Sequence, residues 1–142
     1  MKRKLFLPLL LLTFSLSADP SNEPFSFVGM RLPELFERFG LPQEVFAVRG
    51  NEIWQDDIVF RYPAGDFFIY RDRVWQVRVS SVRGISTGDP KQAVLLVWGS
   101  NIEDRGNHLL APLPGGVWPL MLRFNISNAG LVSDIFIYRP DY

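Results

Sequence analysis

The sequence predicts an α+β protein in which a short helix followed by an antiparallel β-meander occurs twice in tandem, with the helices packed on one face of the sheet. Three observations carry that expectation. Gly29–Gly40 and Gly88–Gly99 are both glycine-bounded segments with helical periodicity, each with a proline near its start and an aromatic before its closing glycine. Each is followed by runs of alternating apolar and polar residues, the period of a strand. Clusters of Pro, Gly, Asn and Asp separate those runs.

The chain opens with Lys2-Arg3-Lys4 and an apolar run from Leu5 to Leu16. A membrane-spanning helix needs roughly twenty apolar residues, so this run fits a secretion signal over residues 1–17. Ser15 and Ser17 supply small residues for cleavage after Ser17, with Ala18 as the next choice. Residues 18–24 read as a disordered lead-in. The first unit is expected over 25–83 and the second over 84–142.

In the first helix Leu32, Leu35, Phe36 and Phe39 share one face. In the second Val94, Val97 and Trp98 do so, with Asp89 able to cap, Pro90 suited to the first turn and Gln92 able to complete a capping box. Strands are expected over Glu44–Arg49, Ile53–Tyr62, Phe67–Arg71 and Val74–Val79, then over Leu109–Leu113, Val117–Ile126 and Leu131–Tyr138. Turns are expected at Pro63–Asp66, Arg71–Arg73, Pro114–Gly116 and Ser127–Gly130, and Ser100–Asn107 reads as a loop.

The chain has 142 residues, 47% of them hydrophobic and 14% aromatic, enough apolar material for one domain's core. It has no cysteine, so that core must stand without disulfides. Setting aside Lys2, Arg3 and Lys4 leaves twelve basic residues against fifteen acidic, a charge near −3. That balance argues against nucleic acid as a partner. After signal cleavage no stable membrane span is expected.

Catalytic signatures are sparse. His108 is the single histidine, and it sits in an irregular stretch where a solvated side chain is the ordinary outcome. No Gly-x-Ser-x-Gly surrounds a serine, and no phosphate loop or dinucleotide fingerprint is present. Asp56-Asp57 and Glu103-Asp104 are the adjacent acids available for a carboxylate hydrolase. Neighbours on a strand point to opposite faces, so Asp56 and Asp57 would not share a substrate. No catalytic residue, metal ligand or cofactor is assigned. Asn125-Ile126-Ser127 matches a glycosylation acceptor by chance within a strand.

The strand pattern places Ile58, Phe60 and Tyr62, then Trp75, Val77 and Val79, then Leu120, Leu122, Phe124 and Ile126 on the buried face. Arg61, Gln76, Arg78, Met121, Arg123 and Asn125 fall on the other, joined by Phe136 and Tyr138 if Ile135 and Ile137 point inward. Arginine mixed with aromatics has the composition of a protein-binding surface; a solvated sheet face shielded by long side chains has it too. The partner-binding candidates are Arg61, Arg78, Arg123, Phe136 and Tyr138.

Gly29-Met30, Leu35 and Phe39-Gly40-Leu41-Pro42 resemble the opening of the SmpA/OmlA (BamE) type of outer-membrane assembly protein. Gly84–Val94 resembles a related opening. The tandem form is similar to the β-lactamase-inhibitory-protein architecture, in which two such units present a joint sheet to a partner enzyme. Unlike the first family the chain has no lipid-carrying cysteine, and unlike the second it has no disulfide. The resemblance implies a binding module of the cell envelope or exterior rather than a catalyst. The expectation is therefore a periplasmic or secreted, non-catalytic protein that binds another protein through an open sheet face. A carboxylate-dependent polysaccharide hydrolase and an exported carrier of an apolar ligand are the alternatives.

Overall fold

The computed structural model describes residues 23–50, 56–114 and 116–141. The expected signal and residues 18–22 of the lead-in lie outside the described residues, as do positions 53–55 of the strand expected from Ile53 and position 115 of the Pro114–Gly116 turn.

A 3-10 turn at Pro24–Phe27 leads into helix α1 (Leu32–Phe39) and strands β1 (Glu44–Val48), β2 (Asp57–Tyr62), β3 (Gly65–Tyr70) and β4 (Arg73–Val79). A small hairpin of β5 (Ser81–Val82) and β6 (Ile85–Ser86) follows, then helix α2 (Lys91–Trp98). The chain continues through β7 (Glu103–Asp104), β8 (His108–Leu113), β9 (Leu120–Ile126) and β10 (Val132–Tyr138). No helix among the described residues is long and apolar enough to cross a membrane.

Eight of these strands form one antiparallel sheet in the order β1-β2-β3-β4-β10-β9-β8-β7. This corrects the expected fold class. Backbone hydrogen bonding runs without interruption across β4 and β10, with Ile135 opposite Val79 and Tyr138 opposite Gln76. The chain is thus a mostly antiparallel β protein built on a single continuous sheet, not two helix-plus-meander units in tandem. Helices α1 and α2, of eight residues each, are minor additions to it.

The last strand in sequence occupies a central position in the sheet. Its opposite margins differ. β7 is two residues long and both its acids are ion-paired, Asp104 to Lys91 at 2.7 Å and Glu103 to Arg105 at 2.7 Å. It lies in the stretch expected to be loop and pairs with Leu109 and Leu110. β1 is five residues long, with Val45 and Val48 exposed.

One side of the sheet carries the core. Phe67, Val77, Leu109, Leu122, Phe124, Ile135 and Ile137 are wholly buried there with Leu35 of α1 and Val94 of α2. Phe67 lies at its aromatic centre, with ring centroids 5.3 Å from Phe39, 5.4 Å from Tyr62 and 5.5 Å from Phe27. Ile58, expected inside, is 46% exposed near the β1 margin. The expected strand over Val117–Ile126 begins only at Leu120.

The rotation of α2 also departs from expectation. Val94 is buried and Trp98 packs on Phe124, yet Val97 is 55% exposed and Leu95 takes its place against the core. Backbone bonds pin the helix entrance to β10: Gly88 donates to the Val132 carbonyl and Val132 to that of Asp89, both at 2.8 Å. Asp89 does not cap the helix. Its carboxylate accepts the Ser86 N–H at 2.8 Å and so holds the preceding turn, while Pro90 occupies the cap position.

The entrance to α1 is pinned to β4 in the same manner, Gly29 donating to Val74 and Val74 to Met30. Gly29 has φ +94°, and a Cβ there would lie 2.5 Å from Nε1 of Trp118. Gly29→Ala is therefore expected to lower stability by about 1–3 kcal/mol, read as a shifted urea midpoint. Beside Trp118→Ala the penalty should shrink, because only the backbone strain remains.

Candidate protein-binding face

The other side of the sheet is covered by neither helix. Pairing register sets a transverse row across it: Glu44, Arg61, Asp66, Arg78, Phe136 and Arg123, contributed in turn by β1, β2, β3, β4, β10 and β9. A second row runs Phe46, Val59, Phe68, Gln76, Tyr138 and Met121. All five partner-binding candidates, Arg61, Arg78, Arg123, Phe136 and Tyr138, thus lie on this one face.

Charges alternate along the first row and neutralise one another at one end. Arg61 bonds Asp66 through Nε at 2.9 Å and Glu44 through Nη1 at 2.5 Å. Arg78 bonds Asp66 and lies 3.7 Å from Asp134. Asp66 is only 6% exposed. Burial works to raise its pKa, but the hydrogen bonds and charges of Arg61 and Arg78 outweigh burial and hold it below the ordinary carboxylate value. The sequence pattern assigned Asp66 to a turn, because Pro63-Ala64-Gly65 precedes it. The structure makes it the first outward residue of β3 and the anchor of both arginines.

A β-bulge alters the middle of the face. Phe68 pairs with Gln76 and Ile69 with Val74, so Trp75 has no register partner. Expected in the core, Trp75 turns to the uncovered face, and Val74 is buried instead; bulges redirect side chains in this way. The Trp75 indole donates to Asp57 at 3.0 Å and meets Phe68 edge-on at 6.5 Å. Burial raises the Asp57 pKa, the Trp75 hydrogen bond opposes that, and the charge of Asp56 adds to it. No pattern in the sequence marks the bulge.

Phe68 also meets Phe136 edge-on at 6.2 Å. Phe68 and Val59 are buried although no helix covers them, under neighbours that include Phe46, Trp75 and Phe136. Beside this cluster lies a shallow depression of about 430 Å³ lined by Trp75, Gln76, Arg123, Asn125, Phe136 and Tyr138. Its lining combines three aromatic rings with the Arg123 guanidinium, the Gln76 and Asn125 amides and the Tyr138 hydroxyl.

The chain matches no protein-family model and no curated protein sequence. A solved structure resembles it: an extracellular protein containing a SCP domain from Bacillus anthracis str. Ames, with TM-score 0.55 and 12% identity over 99% of this chain. This chain spans 50% of that one. At such identity the likeness concerns the fold alone.

His108 starts β8 rather than lying in a loop, is partly buried, and has Nδ1 2.6 Å from Oδ1 of Asn107. Burial lowers its pKa first, and the charges of Arg123 and Arg105 lower it further. Among the described residues no group of three or more His, Cys, Asp or Glu side chains is arranged to hold a metal. Of the adjacent acids, Asp104 is held below its ordinary pKa, chiefly by the Lys91 hydrogen bond.

Proposed function

We propose that the protein is an exported, non-catalytic binding module that engages another protein of the envelope or exterior through the uncovered sheet face. The observation that carries this reading is the clustering of Trp75, Phe136 and Tyr138 with Arg123 around one shallow depression outside the core. Aromatic and arginine side chains dominate the energetics of protein interfaces, where they form a desolvated centre within a polar rim. Here the ion-paired Arg61–Asp66–Arg78 row supplies a rigid rim. The basic and apolar start of the chain supports export, as does the extracellular character of the structural neighbour.

Photo-crosslinking in the cell envelope tests the reading. A photoreactive residue at Tyr138 should give a discrete protein adduct, and one at exposed Leu96 on α2 should not. Adducts from Leu96 alone, or none from Tyr138, would show that the face does not dock a protein.

A further inference from the structure

The uncovered face treats its three arginines unequally. Arg61 and Arg78 share the buried Asp66 and are further balanced by Glu44 and Asp134. Among the described residues no carboxylate lies within ion-pair distance of Arg123. Its Nε donates to the neutral Asn125 Oδ1 at 2.7 Å, which fixes the head without cancelling its charge. Phe136 stands beside it in register on one side and Leu110 on the other. Its charge is felt locally, since it helps to depress the pKa of His108, after burial.

Resting on the binding-face reading above, we infer that the depression selects a carboxylate side chain of the partner protein, received by Arg123 and flanked by apolar contact with Phe136 and Tyr138. A guanidinium presents several N–H donors in a planar fork that matches a carboxylate. With Nε engaged by Asn125, the terminal N–H groups remain to meet an acid. The aromatic walls lower the local dielectric and strengthen the pair, while Gln76 and Asn125 offer amide donors at the margin. A partner segment with an acidic residue beside an aromatic or aliphatic one has the complementary chemistry. A basic segment would meet an uncompensated like charge.

The test uses phage-displayed random peptides selected on the folded protein, with the best binder synthesised and its amide-shift footprint mapped by NMR. Selected peptides should share an Asp or Glu next to an apolar residue and map to β4, β9 and β10. Arg123→Gln should weaken binding about tenfold or more, as expected for loss of a charged hydrogen bond. Asn125→Asp, which supplies an internal carboxylate while keeping the arginine, should weaken it comparably, and Arg123→Lys should retain part of the affinity. The Asn125→Asp and Arg123→Lys variants keep a cation in place and so decide the matter should Arg123→Gln fail to fold.

Peptides that map to the face but lack an acid, with Arg123→Gln within about twofold of wild type, would overturn the inference and leave the binding face standing. Peptides that map to the helix side would overturn the face as well. Arg123-dependent binding to phosphatidylglycerol vesicles, with no acidic peptide selected, would overturn the inference in favour of an anionic lipid.

Discussion

Phe67→Ala is expected to lower folding stability by about 4 kcal/mol, within the range for truncating a wholly buried phenylalanine. The ring is wholly buried and touches Phe27, Phe39 and Tyr62, which belong to the first turn, α1 and β2. A methyl group in its place leaves those three rings without their common neighbour, and a close-packed interior recovers little of such a void. Urea denaturation followed by tryptophan fluorescence should show the midpoint falling with an unchanged slope. A loss below about 1 kcal/mol would mean that α1 is not seated on this ring.

The adjacent position governs the opposite side. Asp66→Ala is expected to lower stability by about 3 kcal/mol. That is the low end for breaking a buried ion pair, because Arg61 and Arg78 keep 40% and 39% of their side chains in contact with solvent. A triple variant with leucine at both arginines should be more stable than Asp66→Ala alone, since no charge is then left unpaired. Acid should reproduce the effect. The folded pKa of Asp66 lies below the 3.8 of an ordinary aspartate. Its contribution is therefore complete above that value and is lost as pH falls through the folded pKa. The stability gap between wild type and Asp66→Asn, wide at pH 7, should close in strong acid. A gap unchanged between those conditions would contradict an ionised, paired Asp66.

The local pieces were legible in the sequence for physical reasons that are themselves local. The i, i+3, i+4 spacing of Leu32, Leu35 and Phe36 and the glycine at 40 are enough to read α1. Strict alternation in Leu120–Ile126 places Leu122 and Phe124 inside and Arg123 outside, as in the structure. For the same reason all five partner-binding candidates were traced to one face.

What escaped the sequence depends on contacts distant along the chain. Pairing of β4 with β10 changes the fold class, yet nothing in either strand names its partner. The bulge that turns Trp75 outward is a mismatch between two strands and does not reside in either one. Asp66 looked like a turn residue until the arginines of β2 and β4 were brought to its flanks. Val97 lost its expected place because backbone bonds to β10 set the rotation of α2.

The central seat of β10 bears on how the molecule comes into being. A ribosome delivers residues 132–138 after the other strands of the sheet, and until they arrive β4 and β9 each present a raw edge where the finished sheet has its middle. Completion therefore waits on a closure across more than fifty residues, from Val79 to Ile135, and such distant closures slow folding. A nonsense codon just ahead of Val132 would leave every other strand in place yet split the sheet through its centre.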